Sequence, residues 1–210
     1  MKQTPSCSCP RRWFFRAALL MLFGPTTFEL VGCSGAGPPP TEYVLGTMAP
    51  ATATTVQQTG LPVVELRRVQ LPDYLDTTDI LERRDNQLVP SSTGRWGERL
   101  SVGMSRTLTA ALAARLPRMV VTATPPVERP ARQLLVDVAA FESRAGHEVV
   151  LVARWSIADG ASRRILVSQQ TSLVESIAGT GDSAVVAAMS HAVEELADQL
   201  AAGLKAAPIR

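Results

Sequence analysis

Lysine is almost absent from this chain: among its 210 residues only Lys2 and Lys205 are lysine, and arginine carries the rest of the positive charge. Histidine is as scarce, at His147 and His191 alone, and cysteine is confined to Cys7, Cys9 and Cys33. A zinc site needs three or four converging nitrogen and sulfur ligands, so both histidines read as surface side chains and no metal is expected. Aromatics make up 5% of the chain. Long apolar runs are also missing. The longest, roughly Phe14 to Phe23, is broken by Gly24-Pro25 and is too short to cross ~30 Å of hydrocarbon as a helix.

What that run does fit is an export signal. Lys2, Arg11, Arg12 and Arg16 form a positive leader, the apolar stretch follows, and Leu30-Val31-Gly32-Cys33 closes it. The last four residues resemble the bacterial lipobox, in which the cysteine is acylated and becomes residue one. We therefore expect a signal peptide over 1–32, a lipid on Cys33 and a Gly/Pro tether over 33–41, with Pro38-Pro39-Pro40 giving reach and no core. Glu29 is an unusual charge so near a cleavage point. Arg11-Arg12-Trp13-Phe14-Phe15-Arg16 looks like a twin-arginine motif with Pro10 where Ser or Thr usually stands, so both export routes stay open.

Cleavage would change the charge balance. Of 21 basic and 19 acidic residues, four bases and one acid fall in 1–32, which leaves 17 and 18. The basic isoelectric point of the whole chain is then no argument for nucleic acid, and none is expected as a partner. Cys7 and Cys9 would leave with the signal and Cys33 would be consumed, so no disulfide within one mature chain can form.

From Glu42 onward the pattern is that of one domain, expected over 42–207. Glu42 to Thr47 suits a short strand, and the Ala/Thr-rich stretch Met48 to Gly60 reads as a loop. Pro62 to Gln70 suits a strand ended by Leu71-Pro72. Asp79 to Arg84 and Gln87 to Val89 flank a turn at Asp85-Asn86, with Pro90 to Gly94 as a loop. Trp96, Leu100, Met104, Leu108, Leu112 and Leu116 recur every four residues and predict a helix ended by Pro117. Strands are expected at Arg118–Ala123, Gln133–Glu142, Glu148–Ala158 and Arg163–Ser176, the last two joined at Asp159-Gly160. A final helix is expected over Ser183–Ala206 with Asp182 as its N-cap. Val185, Met189, Ala192, Val193, Leu196, Leu200 and Leu204 form its apolar stripe. The order predicts a two-layer α+β sandwich: a mainly antiparallel sheet with two helices on one face.

Chemistry is hard to find. Gly103-Met104-Ser105-Arg106-Thr107 lacks the second glycine of a nucleophile elbow, Gly179-Thr180-Gly181 lacks a dinucleotide fingerprint, and Asp73, Asp76 and Asp79 do not have calcium-loop spacing. No catalytic residue, cofactor or enzyme activity is expected.

Several segments in order resemble one family. They are Leu71-Pro72-Asp73-Tyr74-Leu75-Asp76 with Ile80-Leu81-Glu82-Arg83, Asn86-Gln87-Leu88, Arg95-Trp96-Gly97-Glu98-Arg99-Leu100, and Trp155-Ser156-Ile157-Ala158-Asp159. Together they are similar to the ABC-type transport auxiliary lipoproteins, the PqiC-like group. Thr77-Thr78-Asp79, Gly97 and Arg99 depart from the family's pattern. The resemblance implies a non-catalytic accessory subunit of an MCE-type lipid transport system. Such a subunit would sit lipid-anchored on the periplasmic face of the outer membrane, contact the periplasm-spanning MCE protein and carry no cofactor. Ser34 after the acylated cysteine fits that destination. Leu71, Pro72, Tyr74, Leu75, Asp76 and Arg83 are then the candidate partner contacts, while Arg95, Trp96, Leu100 and Trp155 are expected to be structural. A homo-oligomer is also compatible. A stand-alone structural or assembly lipoprotein of the envelope is the alternative.

Overall fold

The computed structural model describes residues 38–46 and 60–207. The signal, Cys33 and most of the Met48 to Gly60 stretch lie outside the described residues. The elements run β1 Thr41–Tyr43, β2 Val63–Leu66, β3 Asp79–Arg84, β4 Gln87–Trp96, α1 Leu100–Arg115, β5 Val120–Thr122, β6 Arg132–Arg144, β7 Glu148–Asp159, β8 Ile165–Ser176 and α2 Asp182–Ala206. No described helix is long and apolar enough to cross a membrane.

The fold is α+β, but the sheet is mixed. β6, β7 and β8 form the long antiparallel meander that their alternation predicts. β3 and β4 pair antiparallel as well. Four further pairings, β1–β4, β2–β5, β2–β6 and β3–β6, are parallel. The cause lies in how the chain reaches β6. β2 pairs with the start of β6 (Val64 beside Arg132), Gln70 bridges Asp137, and β3 pairs with its end (Glu82 beside Ser143), all in the parallel sense. The stretch from Val63 to Arg84 thus follows one edge of β6 as a broken strand, interrupted over residues 71–78.

Both helices lie against the face that carries Leu134, Val136, Leu151, Ala153, Trp155 and Ile157, all buried with Met104, Leu108, Met189, Val193 and Leu200 in a single core. Trp155 is 1% exposed. Its indole donates to Thr171 Oγ1 at 3.1 Å, and Thr171 in turn donates to Gln199 of α2 at 2.6 Å. Gly203 of α2 packs on the same ring: a Cβ there would stand 2.8 Å from Trp155 Cη2. Arg115, in the last turn of α1, clamps α2 through Glu194 (2.9 Å) and Asp198 (2.7 Å). Hydrogen bonding to Asp198 raises its guanidinium above the ordinary range against the opposing effect of burial.

Three local expectations change. α1 starts at Leu100 rather than Trp96, because Trp96 belongs to β4, where its N–H donates to Thr78 O at 2.7 Å. Pro90 to Gly94 is strand, not loop. β1 reaches β4 only at Gly94–Trp96, so Pro90 lies on a stretch of β4 beyond the β1 ladder, where a missing N–H costs little. Asp182 is the first helical residue of α2, with Gly181 at the N-cap, and it accepts from the Thr93 hydroxyl at 2.6 Å.

Candidate partner-binding site

The motif segment 71–78 fills the break between β2 and β3. Pro72 starts a tight turn whose carbonyl accepts from Leu75 N (2.9 Å) and Asp76 N (3.1 Å). That turn drives Leu75 into the core at 1% exposure. Leu71 is half-buried and packs against the same core. Leu75 therefore supports the segment from below and offers no surface to a partner.

Asp76 does something the sequence does not display. The N-cap position of α1 is Arg99, which makes no side-chain cap. The first N–H groups of a helix need outside acceptors. Asp76 Oδ1 accepts from Ser101 N at 3.0 Å, and Thr77 O accepts from Leu100 N at 3.2 Å. The helix is capped by a segment more than twenty residues upstream. Arg99 completes the arrangement by donating to Asp76 O at 2.7 Å and pairing with Asp76 Oδ2 at 3.1 Å. Arg68 donates to Ser101 Oγ at 2.8 Å. Burial pushes the Asp76 carboxyl up, but the hydrogen bonds from Ser101 and Arg99 outweigh it and hold the group below its usual value.

Tyr74 points the other way. It is 40% exposed, and its hydroxyl donates to Ala139 O over 3.4 Å, a weak contact. Ala139 lies where β6 bulges between Val138 and Ala140, opposite the break in the neighbouring strand. Three residues on, Arg83 of β3 grips Glu142, with its second bond, Nη2 to Oε2, at 3.0 Å. Glu142 is 1% exposed, so Arg83 satisfies a buried carboxylate while its own side chain stays 28% exposed. Hydrogen bonding to Glu142 raises the Arg83 guanidinium, and Tyr74 adds to the effect.

Further along β6 the outer sheet face opens into a cleft of about 480 Å³ lined by Arg67, Arg68, Leu135, Asp137, Arg154 and Ser156 among others. Leu135 is 40% exposed there. Going along β6, the cleft includes Asp137, Tyr74 reaches Ala139 and Arg83 reaches Glu142. Sequence reasoning singled out Tyr74 and Arg83 but missed Glu142, Arg68 and Ser101. Glu142 carries a signal in retrospect: of the two acids in QLLVDVAAFE, it is the one that falls in step with Leu134, Val136 and Val138, while Asp137 falls out of step.

The remaining motif residues frame the site. Trp96 and Leu100 are each 3% exposed and belong to the core. Arg95 is half-exposed and pairs with Glu42 at 2.6 Å, across the β1–β4 ladder. Ser105 donates to Ser101 O (2.7 Å) and accepts from Val69 N (3.0 Å), which engages its hydroxyl in structure. His191 lies 2.9 Å from Glu175. Among the described residues no three His, Cys, Asp or Glu side chains converge as a metal site would need.

The site thus sits on a mixed sheet covered on one face by two helices, where the LPDYLD turn interrupts the strand that runs along β6. The chain belongs to the ABC-type transport auxiliary lipoprotein component family, whose model matches residues 43–201. A solved structure of an uncharacterised protein superposes with a TM-score of 0.68 at 20% identity, over 80% of this chain and 99% of the other. A Xanthomonas campestris protein of the DUF330 family gives 0.57 at 18% identity, over 77% and 90%. These likenesses establish the fold. Among curated proteins none matches the sequence.

Proposed function

We propose that this chain is a non-catalytic accessory subunit of an MCE/ABC-type intermembrane lipid transport system. In this reading Cys33 carries the lipid anchor, and the domain sits on the periplasmic face of the outer membrane. It binds the periplasm-spanning MCE protein through the 71–76 turn and Arg83. Family membership supports the transport role. The observation that supports this surface in particular is Tyr74. Leu75 fills the core and Asp76 caps α1, yet Tyr74 stands 40% exposed beside an ion pair that fixes its surroundings. Exposed aromatics on rigid supports are the usual anchors of protein interfaces.

Purification of the tagged chain from native membranes tests the proposal. The expected result is recovery of an MCE-domain protein together with its permease. Recovery of the lipoprotein in good yield without either would favour a stand-alone envelope role.

A further inference from the structure

The outer face of the β6–β7–β8 meander carries charge that the fold does not use. In register, Leu135, Ser156 and Ser168 stand side by side across the three strands, and Asp137 and Arg154 face each other in the next row. This is the face away from the helices, because the alternating neighbours Val136 and Trp155 point into the core. With Arg67 and Arg68, which precede the Gln70–Asp137 bridge, these side chains line the cleft of about 480 Å³. The lining sets three guanidinium groups against one carboxylate. Little within the described chain neutralises them. Arg154 forms no ion pair among the described residues, even with Asp137 across the ladder. Arg67 comes no nearer than 4.0 Å to Glu65 and Arg68 no nearer than 3.9 Å to Asp76, and both side chains are 59% exposed. Arg68 gives one bond to Ser101 Oγ, which leaves most of its five N–H donors open. The hydroxyls of Ser156 and Ser168 have no hydrogen-bond partner among the described residues.

We propose that this cleft binds a phosphate ester. Arg67, Arg68 and Arg154 hold the phosphate, Ser156 and Ser168 donate to its oxygens, and Leu135, 40% exposed on the floor, takes the carbon portion of the ester. The volume suits such a ligand, since small-molecule sites run to ~300–1,000 Å³. The donors favour phosphate over carboxylate. A carboxylate is planar and has about four acceptor positions, whereas a phosphate presents oxygens in several directions and takes forked bonds from more than one arginine. The apolar floor favours an ester over the inorganic ion, which has nothing to lay on Leu135. Asp137 is the one group of the lining that opposes an anion, so its removal should strengthen binding. The headgroup of a membrane lipid and a water-soluble phosphate ester share this chemistry. The site needs neither Tyr74 nor a protein partner, so it stands or falls separately from the proposed MCE contact.

The test is calorimetric titration of the full chain in non-ionic detergent at low salt, where exposed charges are least screened. One arm uses sn-glycerol 3-phosphate. The other uses phosphatidylglycerol carried in the same detergent micelles, with diacylglycerol, the same lipid without its phosphate, as control. We expect saturable binding of a phosphate ester and none of diacylglycerol. Arg154→Gln should weaken binding about tenfold or more, the scale of a lost charge-assisted bond. Asp137→Asn should tighten it. Both side chains are exposed and unpaired, so both variants should melt like the wild type. Tighter binding of phosphatidylglycerol than of glycerol phosphate would assign a lipid headgroup as the source of the ligand, and the reverse a soluble ester. Binding of neither ester by the folded wild type would overturn the proposal. So would an affinity that Arg154→Gln and Asp137→Asn both leave unchanged, or diacylglycerol bound as well as phosphatidylglycerol.

Discussion

Asp76 shows how much one side chain can carry in this molecule. It replaces the missing N-cap of α1, and it does so from outside the helix. Loss of a cap costs ~1–2 kcal/mol, and the exposed arginines around it add little. Asp76→Ala should therefore lower the melting temperature by about 2–8 °C, on the scale of ~2–4 °C per kcal/mol for a domain of this size. The contribution has a definite pH dependence. Because the carboxyl is held below its unfolded value of 3.8, its stabilisation is complete above that pH and fades as pH falls through the lower, folded value. The gap between wild type and variant should thus be full at neutral pH and close in strong acid. A gap of constant size down to pH 2 would mean that Asp76 acts through something other than its charge.

The second test at this scale concerns Cys33. The lipobox reading requires that Cys33→Ala lose the acyl mass and retain residues 1–32, which intact-mass measurement reads directly. An unchanged lipid mass in the variant would remove the anchor assignment.

Among the elements, α2 is the most exacting. Gly203 sits in a regular helix, where alanine is intrinsically better by ~1 kcal/mol. Its missing Cβ is occupied by the edge of Trp155, itself 1% exposed and tied to Thr171. Overpacking a fixed core ring costs ~1–3 kcal/mol, so packing should win. Gly203→Ala is expected to lower the melting temperature despite improving helix propensity. A higher melting temperature would show that the ring yields easily and that α2 is seated more loosely on β7.

The same elements separate what could be read in the sequence from what could not. β6, β7 and β8 were legible because each alternates along its own length and successive strands join by short turns. α2 was legible because its stripe repeats for six turns. Parallel pairing was not. β2 and β3 look alike whichever strand they meet, and their meeting with β6 spans some sixty residues that no local pattern encodes. β4 was cut short at Pro90 because the argument against proline in a strand assumes neighbours on both sides. Asp76 looked like a turn residue since its receiver, Ser101, lies far down the chain.

For the whole molecule, the core is made by helices on one sheet face, and the recognition surface we propose lies around Tyr74. There the strand break at 71–78, the bulge at Ala139 and the buried Glu142 coincide. A partner docking at this place would meet a surface already rigid, with little ordering cost beyond the tyrosine ring. The LPDYLD segment then has two jobs on opposite sides of one turn: Leu75 and Asp76 hold the fold together, and Tyr74 faces outward.

The most direct test of that division is a calorimetric titration of the detergent-solubilised chain against the purified MCE-domain protein we propose as its partner, with wild type and Tyr74→Ala in parallel and a thermal melt of each. Tyr74 makes a single weak bond to Ala139, so the variant should melt within a degree or two of wild type. Its affinity should fall by ~1–3 kcal/mol, about five- to 150-fold in Kd. Equal affinity in two well-folded proteins would contradict the central claim, and a variant that binds normally but melts far lower would return Tyr74 to the architecture of the fold.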